Sequence, residues 1–295
     1  MSSVLFAGLS TIDIQYFVPG FPSSNQKVKC KPPDLLVGGP ALNAAVAYAF
    51  LAGEANLLSA VGHSPFNPLI QQDLQEHAVH LIDFIVAKST NPVLATVITS
   101  ANGDRSILSH HPEDHSFFLD VQALFDQLQP ELVLVDGFYP QMTLRVCEEA
   151  TARNIPVVFD GGSWKPHLES LLPFFDLIIC SADFRPPGCN SSGDVIRFFH
   201  QHQKSEVAIS RGADSILCAG QGHICEIAVE KLKIKDSLGA GDFLHGAFCY
   251  YWLKNRNFES ALRLASSFAS QTCRYEGTRK CFAELKKSNS FKKKS

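Results

Sequence analysis

The sequence lacks several features that mark particular classes of protein. It has no uninterrupted run of about 18 apolar residues, the length of a membrane-spanning helix, and no basic N-terminal region that would indicate a signal peptide. Its formal net charge is −3, whereas a nucleic-acid-binding protein usually has a basic body. The nine cysteines are scattered and form no CxxC pair, which fits reduced thiols better than a disulfide framework or a zinc site. We therefore expect a cytoplasmic protein that binds neither nucleic acid nor membrane.

The 295 residues, of which 45% are hydrophobic, suffice for one large α/β domain with a small appendage. Short apolar runs alternate with helical patterns, and the runs are apolar throughout, as expected when helices cover both faces of a parallel sheet. This rhythm predicts an α/β fold with a doubly wound, mostly parallel sheet and helices on both faces. The predicted strands are residues 3–9, 56–61, 132–136, 156–160, 176–180 and 206–210. The predicted helices are residues 40–52, 66–77, 118–129, 141–153, 192–203, 242–254 and 258–274.

Two segments interrupt this rhythm. Residues 12–37 contain four prolines among short extended pieces, and residues 91–113 contain two β-rich runs around Asn102-Gly103, a hairpin turn signal. We expect the two segments to form a small β-sheet that acts as a lid. The rest of the chain is assigned to the core, residues 1–11, 38–90 and 114–285, and to a disordered basic tail, residues 286–295.

The most informative segment is residues 234–249, IKDSLGAGDFLHGAFC. Gly239, Ala240 and Gly241 lead directly into a predicted helix whose first turn holds Asp242. The N–H groups of such a turn, with the partial positive charge of the helix N-terminus, can surround an anion such as a phosphoryl group during transfer. The Asp242 carboxylate could then accept a proton from an attacking hydroxyl, and we expect the helix dipole to keep it ionised. The alternative is a glycine-rich turn in which Asp242 only begins a helix.

Two other phosphate-binding motifs are excluded. The sequence contains no GxxxxGK[ST] segment, so it has no P-loop. A dinucleotide-binding GxGxxG motif would need a glycine where Leu244 stands, and it would follow the first strand rather than lie in the last third of the chain.

Two further segments carry candidate binding residues. Gly38-Gly39 precede a predicted helix and allow a ligand to approach the backbone, and Asn43 offers a donor and an acceptor one turn into that helix. Asp13 follows the first strand, and ligands of doubly wound sheets bind at the carboxyl ends of the strands. A carboxylate there could hold two sugar hydroxyls. The alternatives are a helix cap with core packing for the first segment and a turn aspartate for the second.

Together, the three segments resemble the motifs of the ribokinase (PfkB) family of carbohydrate kinases, in order and spacing, from the first strand to about Gly277. The ketohexokinase-like branch is the most similar. The resemblance implies a ribokinase-like α/β core with a β-sheet lid, and transfer of the ATP γ-phosphoryl group to a sugar hydroxyl with the help of Mg²⁺. It also leaves room for a monovalent cation beside the anion site and for a homodimer formed through the lid.

The resemblance implies a role for each matching position. Asp242 is the catalytic base, and the N–H groups of Gly239, Ala240 and Gly241 form the anion hole. The residues implied to bind the sugar are Asp13, Gly39, Asn43 and the lid residue Arg105. The residues implied to bind the nucleotide are Gly212, Ala213 and Cys273.

The sequence also departs from the family pattern. Ser181 and Phe184 stand where many members have an N-x-x-E motif near the metal and phosphates, so the residues that hold Mg²⁺ stay open. Asn25 replaces a second acidic sugar-binding residue of ketohexokinases, and Pro40 replaces a polar residue. A nucleoside kinase of the same family and a non-catalytic sugar- or nucleotide-binding protein therefore remain as alternatives. The histidine-rich residues 110–115 are expected to form a polar lid loop rather than a metal site.

Overall fold

The computed structural model describes residues 3–85, 91–101, 105–110, 116–220 and 222–287. The strands of this part of the chain are β1 Val4–Ala7, β2 Thr11–Val18, β3 Asp34–Gly38, β4 Ala55–Ser59, β5 Val79–Asp83, β6 Val93–Ser100, β7 Arg105–Ser109, β8 Leu132–Val135, β9 Val157–Gly161, β10 Leu177–Ser181, β11 Glu206–Ser210, β12 Ile216–Gly220 and β13 His223–Ile227. Its helices are α1 Pro40–Ala52, α2 Asn67–Glu76, α3 Val121–Leu128, α4 Pro140–Ala152, α5 Ser192–Gln201, α6 Ala240–Asn255, α7 Phe258–Thr272 and α8 Lys280–Lys287, with a 3-10 helix at Pro166–Phe174. Within these ranges, no helix has both the length and the apolar character needed to cross a membrane.

Nine strands form the main sheet, in the order β13-β12-β11-β10-β9-β8-β1-β4-β5. Neighbours pair in parallel from β11 to β5, whereas β12 and β13 are antiparallel. The six predicted strands and seven predicted helices are all confirmed, with small shifts at their ends. The sequence reading missed β5, β12 and β13. Two of these, β5 and β13, are the edge strands and are only partly buried, so they lack the continuous apolar run of a central strand.

Helices cover both faces of this sheet. One apolar cluster joins the sheet to α1, α6 and α7, and a second joins the opposite face to α3, α4 and α5. The doubly wound architecture is therefore confirmed. The helices α1 and α6 touch where Gly246 meets the backbone of Ala44, and a Cβ at Gly246 would overlap the Ala44 carbonyl oxygen.

The two segments predicted to form the lid supply a separate four-stranded sheet, in the order β3-β2-β6-β7. Strands β2 and β6 pair in parallel, and the outer pairs are antiparallel. The turn at Asn102-Gly103 lies outside the described residues. The small sheet is confirmed, whereas its function as a lid stays a prediction.

The C-terminal helix α8 corrects part of the tail prediction. Lys286 and Lys287 were assigned to a disordered tail, but they complete α8, whose buried face carries Cys281, Phe282 and Leu285. These apolar residues give the helix a face to pack against the core, which the lysine count alone does not reveal. Residues 288–295 lie outside the described residues.

Candidate active site

The glycine-rich turn lies directly at the N-terminus of α6. Gly239 adopts a left-handed conformation with φ 74°, which glycine adopts without strain, and α6 begins at the next residue. The N–H of Ala240 donates to the Ser237 carbonyl at 3.2 Å, so this group closes the turn. Gly241 and Asp242 belong to the first helical turn, where N–H groups have no partner within the helix and face outward.

Asp236 holds this turn in shape. Its carboxylate accepts from the N–H groups of Leu238 at 2.9 Å and Gly277 at 3.0 Å. It also accepts from the Gln15 side-chain amide of β2 at 3.1 Å. The first residue of the DSLGAGD segment therefore ties the turn to the small sheet.

The carboxylate of Asp242 faces α1. Its Oδ2 accepts a hydrogen bond from the Asn43 Nδ2 amide at 2.8 Å. Burial, followed by the negative charge of Asp160, raises the pKa of Asp242 to about 7, while the Asn43 bond and His245 lower it. The expectation that the helix dipole keeps this carboxylate ionised is therefore met only in part near neutral pH, because desolvation and a like charge oppose ionisation.

Arg279 fixes the orientation of Asn43, a role that the sequence reading missed. Its Nη1 donates to Asn43 Oδ1 at 2.9 Å, its Nη2 to the Val37 carbonyl at 2.8 Å, and its Nε to Asp73 Oδ1 at 2.8 Å. A guanidinium can only donate, so the Asn43 oxygen must face Arg279 and the amide nitrogen must face Asp242. One arginine therefore links α2, β3 and α1 to the candidate base.

Asp13 lies in β2 and is buried. Its Oδ1 accepts from Thr11 Oγ1 at 2.7 Å. Burial raises the pKa of this carboxyl group, and the Thr11 bond and the charge of Arg279 oppose the shift. A Cβ at Gly38 would overlap the Asp13 carboxylate, and one at Gly39, with φ 101°, would overlap the Leu9 carbonyl. The paired glycines thus let β3 pass close to Asp13.

The three candidate residues for nucleotide binding line one cleft. Gly212, Ala213 and Cys273 surround a space of about 480 Å³ that extends to Ala240 and Gly241 at the start of α6. Its volume is within the range of small-molecule sites. Burial raises the pKa of the Cys273 thiol, and the hydrogen bond to Thr272 and the charge of Arg105 oppose this shift. Arg105 itself is exposed at the start of β7 and is not among the residues that line the cleft.

Two polar residues near Asp242 were missed by the sequence reading. Asp160 is the fourth residue of β9 and is buried, and its Oδ2 has no hydrogen-bond partner among the described residues. His245 lies 3.5 Å from the other Asp160 oxygen. Its two ring nitrogens face the carbonyls of Gly241 at 2.7 Å and Ile179 at 3.0 Å. Because carbonyls only accept, both contacts are satisfied when the ring is protonated.

The positions that depart from the family pattern have structural partners or are exposed. Phe184 is fully buried among aromatic rings, and Ser181 donates to the Gly162 carbonyl at 2.9 Å. Asn25 is exposed in a left-handed conformation, and Pro40 begins α1. A signal for Asp160 was present in the sequence, because VVFD ends a predicted strand at the edge where ligands bind. Arg279 had no comparable signal.

Comparison with known proteins agrees with this arrangement. The sequence model of the "pfkB family carbohydrate kinase" matches residues 1–285. The ribokinase of Bacillus subtilis is 24% identical over 288 residues, covering 92% of each chain. The ribokinase of Lactococcus lactis is 21% identical over 273 residues, covering 90% of this chain and 88% of the relative.

Solved structures show the same fold. The ribokinase of Giardia lamblia has a TM-score of 0.81 at 17% identity, over 97% of this chain and 100% of that chain. The ribokinase of Arabidopsis thaliana, solved with ribose and ATP, has a TM-score of 0.76 at 19% identity, over 97% and 99%. The chain therefore belongs to the pfkB family of carbohydrate kinases. These matches indicate a sugar kinase, a phosphotransferase. They do not single out the ketohexokinase-like branch, which stays a prediction.

Proposed function

We propose that this protein transfers the γ-phosphoryl group of ATP to a hydroxyl of a small sugar, with Asp242 as the general base. The observation that carries the proposal is the position of Asp242. It lies in the first turn of α6, which borders the nucleotide cleft, and it is hydrogen-bonded at 2.8 Å to Asn43 of α1. A base at this junction can reach a hydroxyl held on one side and a phosphoryl group held on the other.

Each candidate residue then has a defined task. Gly212, Ala213 and Cys273 contact the nucleotide in their cleft. Asp13, Gly39, Arg105 and the second amide N–H of Asn43 hold sugar hydroxyls, and Asp242 accepts the proton of the attacking one. The N–H groups of Gly239 and Gly241, joined by that of Asp242, stabilise the charge on the transferred group, because the helix N-terminus favours an anion there. The Ala240 N–H, which was expected to take part, donates to Ser237 instead.

Mg²⁺ fits the acidic residues next to the turn. It prefers oxygen ligands, and the buried Asp160 Oδ2 lacks a partner among the described residues. We assign Asp160 to hold the ion, directly or through water, in place of the N-x-x-E pattern that Ser181 and Phe184 replace. When bound, Mg²⁺ offsets the charge of the phosphates. A monovalent cation beside the turn stays a prediction that activity in K⁺ and in Na⁺ buffers can test.

The small sheet is proposed to serve as the lid and the dimer interface. Paired residues share one face of a sheet, so the register places Leu35, Ile14, Thr96 and Leu108 in one row across its four strands. Leu35 and Leu108 are 52% and 62% exposed. A second copy of the chain would cover this apolar row.

The experiment that tests the function measures ADP release with ATP and Mg²⁺ across pentoses, hexoses, ketoses and nucleosides. We expect sustained turnover with one sugar and a phosphorylated product detectable by mass spectrometry. Turnover with nucleosides alone would replace the sugar by a nucleoside as acceptor. If no compound is phosphorylated but one raises the melting temperature, the protein is a binding protein and the proposal fails.

A further inference from the structure

A second cluster of chemically reactive side chains lies at the edge of the main sheet, away from the candidate active site. His223 and Cys225 lie two residues apart in β13, so both point to the same face of the sheet. Ile227, on that same face, is buried in the core that also includes Phe258 and Leu262 of α7. The face therefore looks toward α7, which contributes Glu259.

The donor atoms of this cluster are already close together. One atom each of His223, Cys225 and Glu259 lie within 4.8 Å of one another, and the His223 Nε2 to Glu259 Oε2 distance is 3.4 Å. In a tetrahedral zinc site, with Zn–S about 2.3 Å and Zn–N about 2.0 Å, neighbouring donors lie about 3.3 to 3.8 Å apart. Small side-chain adjustments would therefore bring the three donors to bonding distance.

A fourth donor comes from the neighbouring strand. Cys218 of β12 pairs directly with Cys225 across the antiparallel ladder, so the two side chains lie on the same face of the sheet. Cys218 is buried, whereas His223 is 54% exposed, so the cluster runs from the core to the surface. A metal ion could enter from the solvent side and meet the three clustered donors first, with Cys218 next to Cys225 on the side of the core.

The charges around the cluster also suit a cation. Arg263 holds the other Glu259 oxygen, Oε1, at 2.5 Å. This ion pair leaves Glu259 Oε2 facing the cluster, 3.4 Å from His223 Nε2. Two thiolates and one carboxylate around a divalent ion leave one negative charge, which Arg263 would offset.

We propose that Cys218, His223, Cys225 and Glu259 form a binding site for Zn²⁺ or a similar thiophilic divalent ion. Mg²⁺ and Ca²⁺ are unsuited because half of the donors are sulfur. The ion would join the hairpin β12–β13 to α7, so the site is structural and separate from phosphoryl transfer. The sequence spacing predicted no zinc site, because the two cysteines are seven residues apart and only the strand pairing brings them together.

The test uses the whole chain, freed of metal by a chelator and kept reduced with a phosphine. Titration with Co²⁺ is expected to give a thiolate-to-cobalt charge-transfer band that saturates at one equivalent and disappears on addition of Zn²⁺. Cys225→Ser is expected to lose the band, and His223→Gln to weaken binding. Cys30→Ser, which removes an exposed thiol in the loop between β2 and β3, is the matched control and should keep the band.

Thermal unfolding gives a second readout. Zn²⁺ should raise the melting temperature of the wild type and of Cys30→Ser but not of Cys225→Ser. The proposal is overturned if the wild type shows only the spectrum of hydrated Co²⁺, or if the band survives in Cys225→Ser. Neither readout depends on kinase activity.

Discussion

The protonation of Asp242 gives the first prediction about a single residue. Burial and Asp160 raise its pKa to about 7, and a base must be deprotonated to accept the hydroxyl proton. We therefore expect kcat/KM to rise with pH up to about 7 and to level off above it, since this parameter reports the free enzyme. Assays from about pH 5.5 to about pH 9 would check this. If kcat/KM shows no rise that levels off near pH 7, the assignment of this pKa to Asp242 is wrong.

Arg279 is predicted to act as a positioning residue. Arg279→Lys keeps the charge but cannot reach Asn43, Val37 and Asp73 together, because lysine lacks the guanidinium fork. Loss of the oriented Asn43 amide removes a hydrogen bond that lowers the pKa of Asp242. The rise of kcat/KM with pH should therefore move to higher pH. We expect kcat/KM to fall about tenfold, as for the loss of one hydrogen bond to a charged group.

The matched control for this variant is Arg274→Lys. Arg274 is exposed. Among the described residues, its guanidinium makes one hydrogen bond, from Nη1 to the Gln271 side chain of α7 at 3.2 Å. Its replacement should leave both the rate and the rise of kcat/KM with pH unchanged. If Arg279→Lys lowers stability but leaves that rise in place, Arg279 is merely structural.

The sequence could predict the residues whose signal is local. The turn from Gly239 to Asp242 and the pair Gly38-Gly39 are contiguous motifs, and the structure brings Asn43, near the second motif, into contact with Asp242. The partner of the Asn43 side-chain oxygen could not be predicted from the sequence, because Arg279 lies 236 residues further along the chain. The raised pKa of Asp242 could not be predicted for the same reason, since its burial and the approach of Asp160 arise only in the folded chain.

At the scale of helices and strands, the crossing of α1 and α6 sets the distance between Asn43 and Asp242. Gly246→Ala places a methyl group against the Ala44 backbone, which cannot move aside as a side chain would. We expect a loss of about 1 to 3 kcal/mol in the free energy of unfolding, as for overpacked cores. Urea unfolding measures it, and Gly193→Ala in α5, where a Cβ meets only ordinary contacts, is the control. Equal stability of the two variants would contradict the account of this crossing.

Central elements were easier to predict than edge elements. Strands such as β8 and β10 are buried along nearly their whole length and give continuous apolar runs. In contrast, β13 is exposed at most of its positions, and its residues HICEI form neither a continuous apolar run nor a strict alternation of polar and apolar residues. Such a segment is indistinguishable from a loop until a neighbouring strand is known to pair with it.

For the whole molecule, the apolar row on the small sheet predicts self-association. Leu108→Lys places a charge at the β7 end of this row, so we expect a dimeric wild type and a monomeric variant in analytical ultracentrifugation. Leu264→Lys, at an exposed leucine of α7, is the control and should remain a dimer. A wild type that is monomeric at every concentration would refute the interface.

The overall architecture was accessible from the sequence because the alternation of apolar strands and helices continues along most of the chain. The order of the strands in the sheet could not be predicted from the sequence, and the antiparallel β12–β13 extension was missed entirely. That extension matters, because Ile216 of β12 lines the cleft that we propose binds the nucleotide, and β13 carries His223 and Cys225.

The central claim is that Asp242 is the base for phosphoryl transfer. Its most direct test compares the turnover number of Asp242→Asn with that of the wild type, using the acceptor found in the panel. Removal of the base is expected to lower kcat by about 10²- to 10⁴-fold. The variant should still be stabilised by ATP and acceptor in thermal unfolding, and Asp126→Asn, at an exposed carboxylate of α3, should keep full activity. If Asp242→Asn retains wild-type turnover, the assignment of the base is wrong.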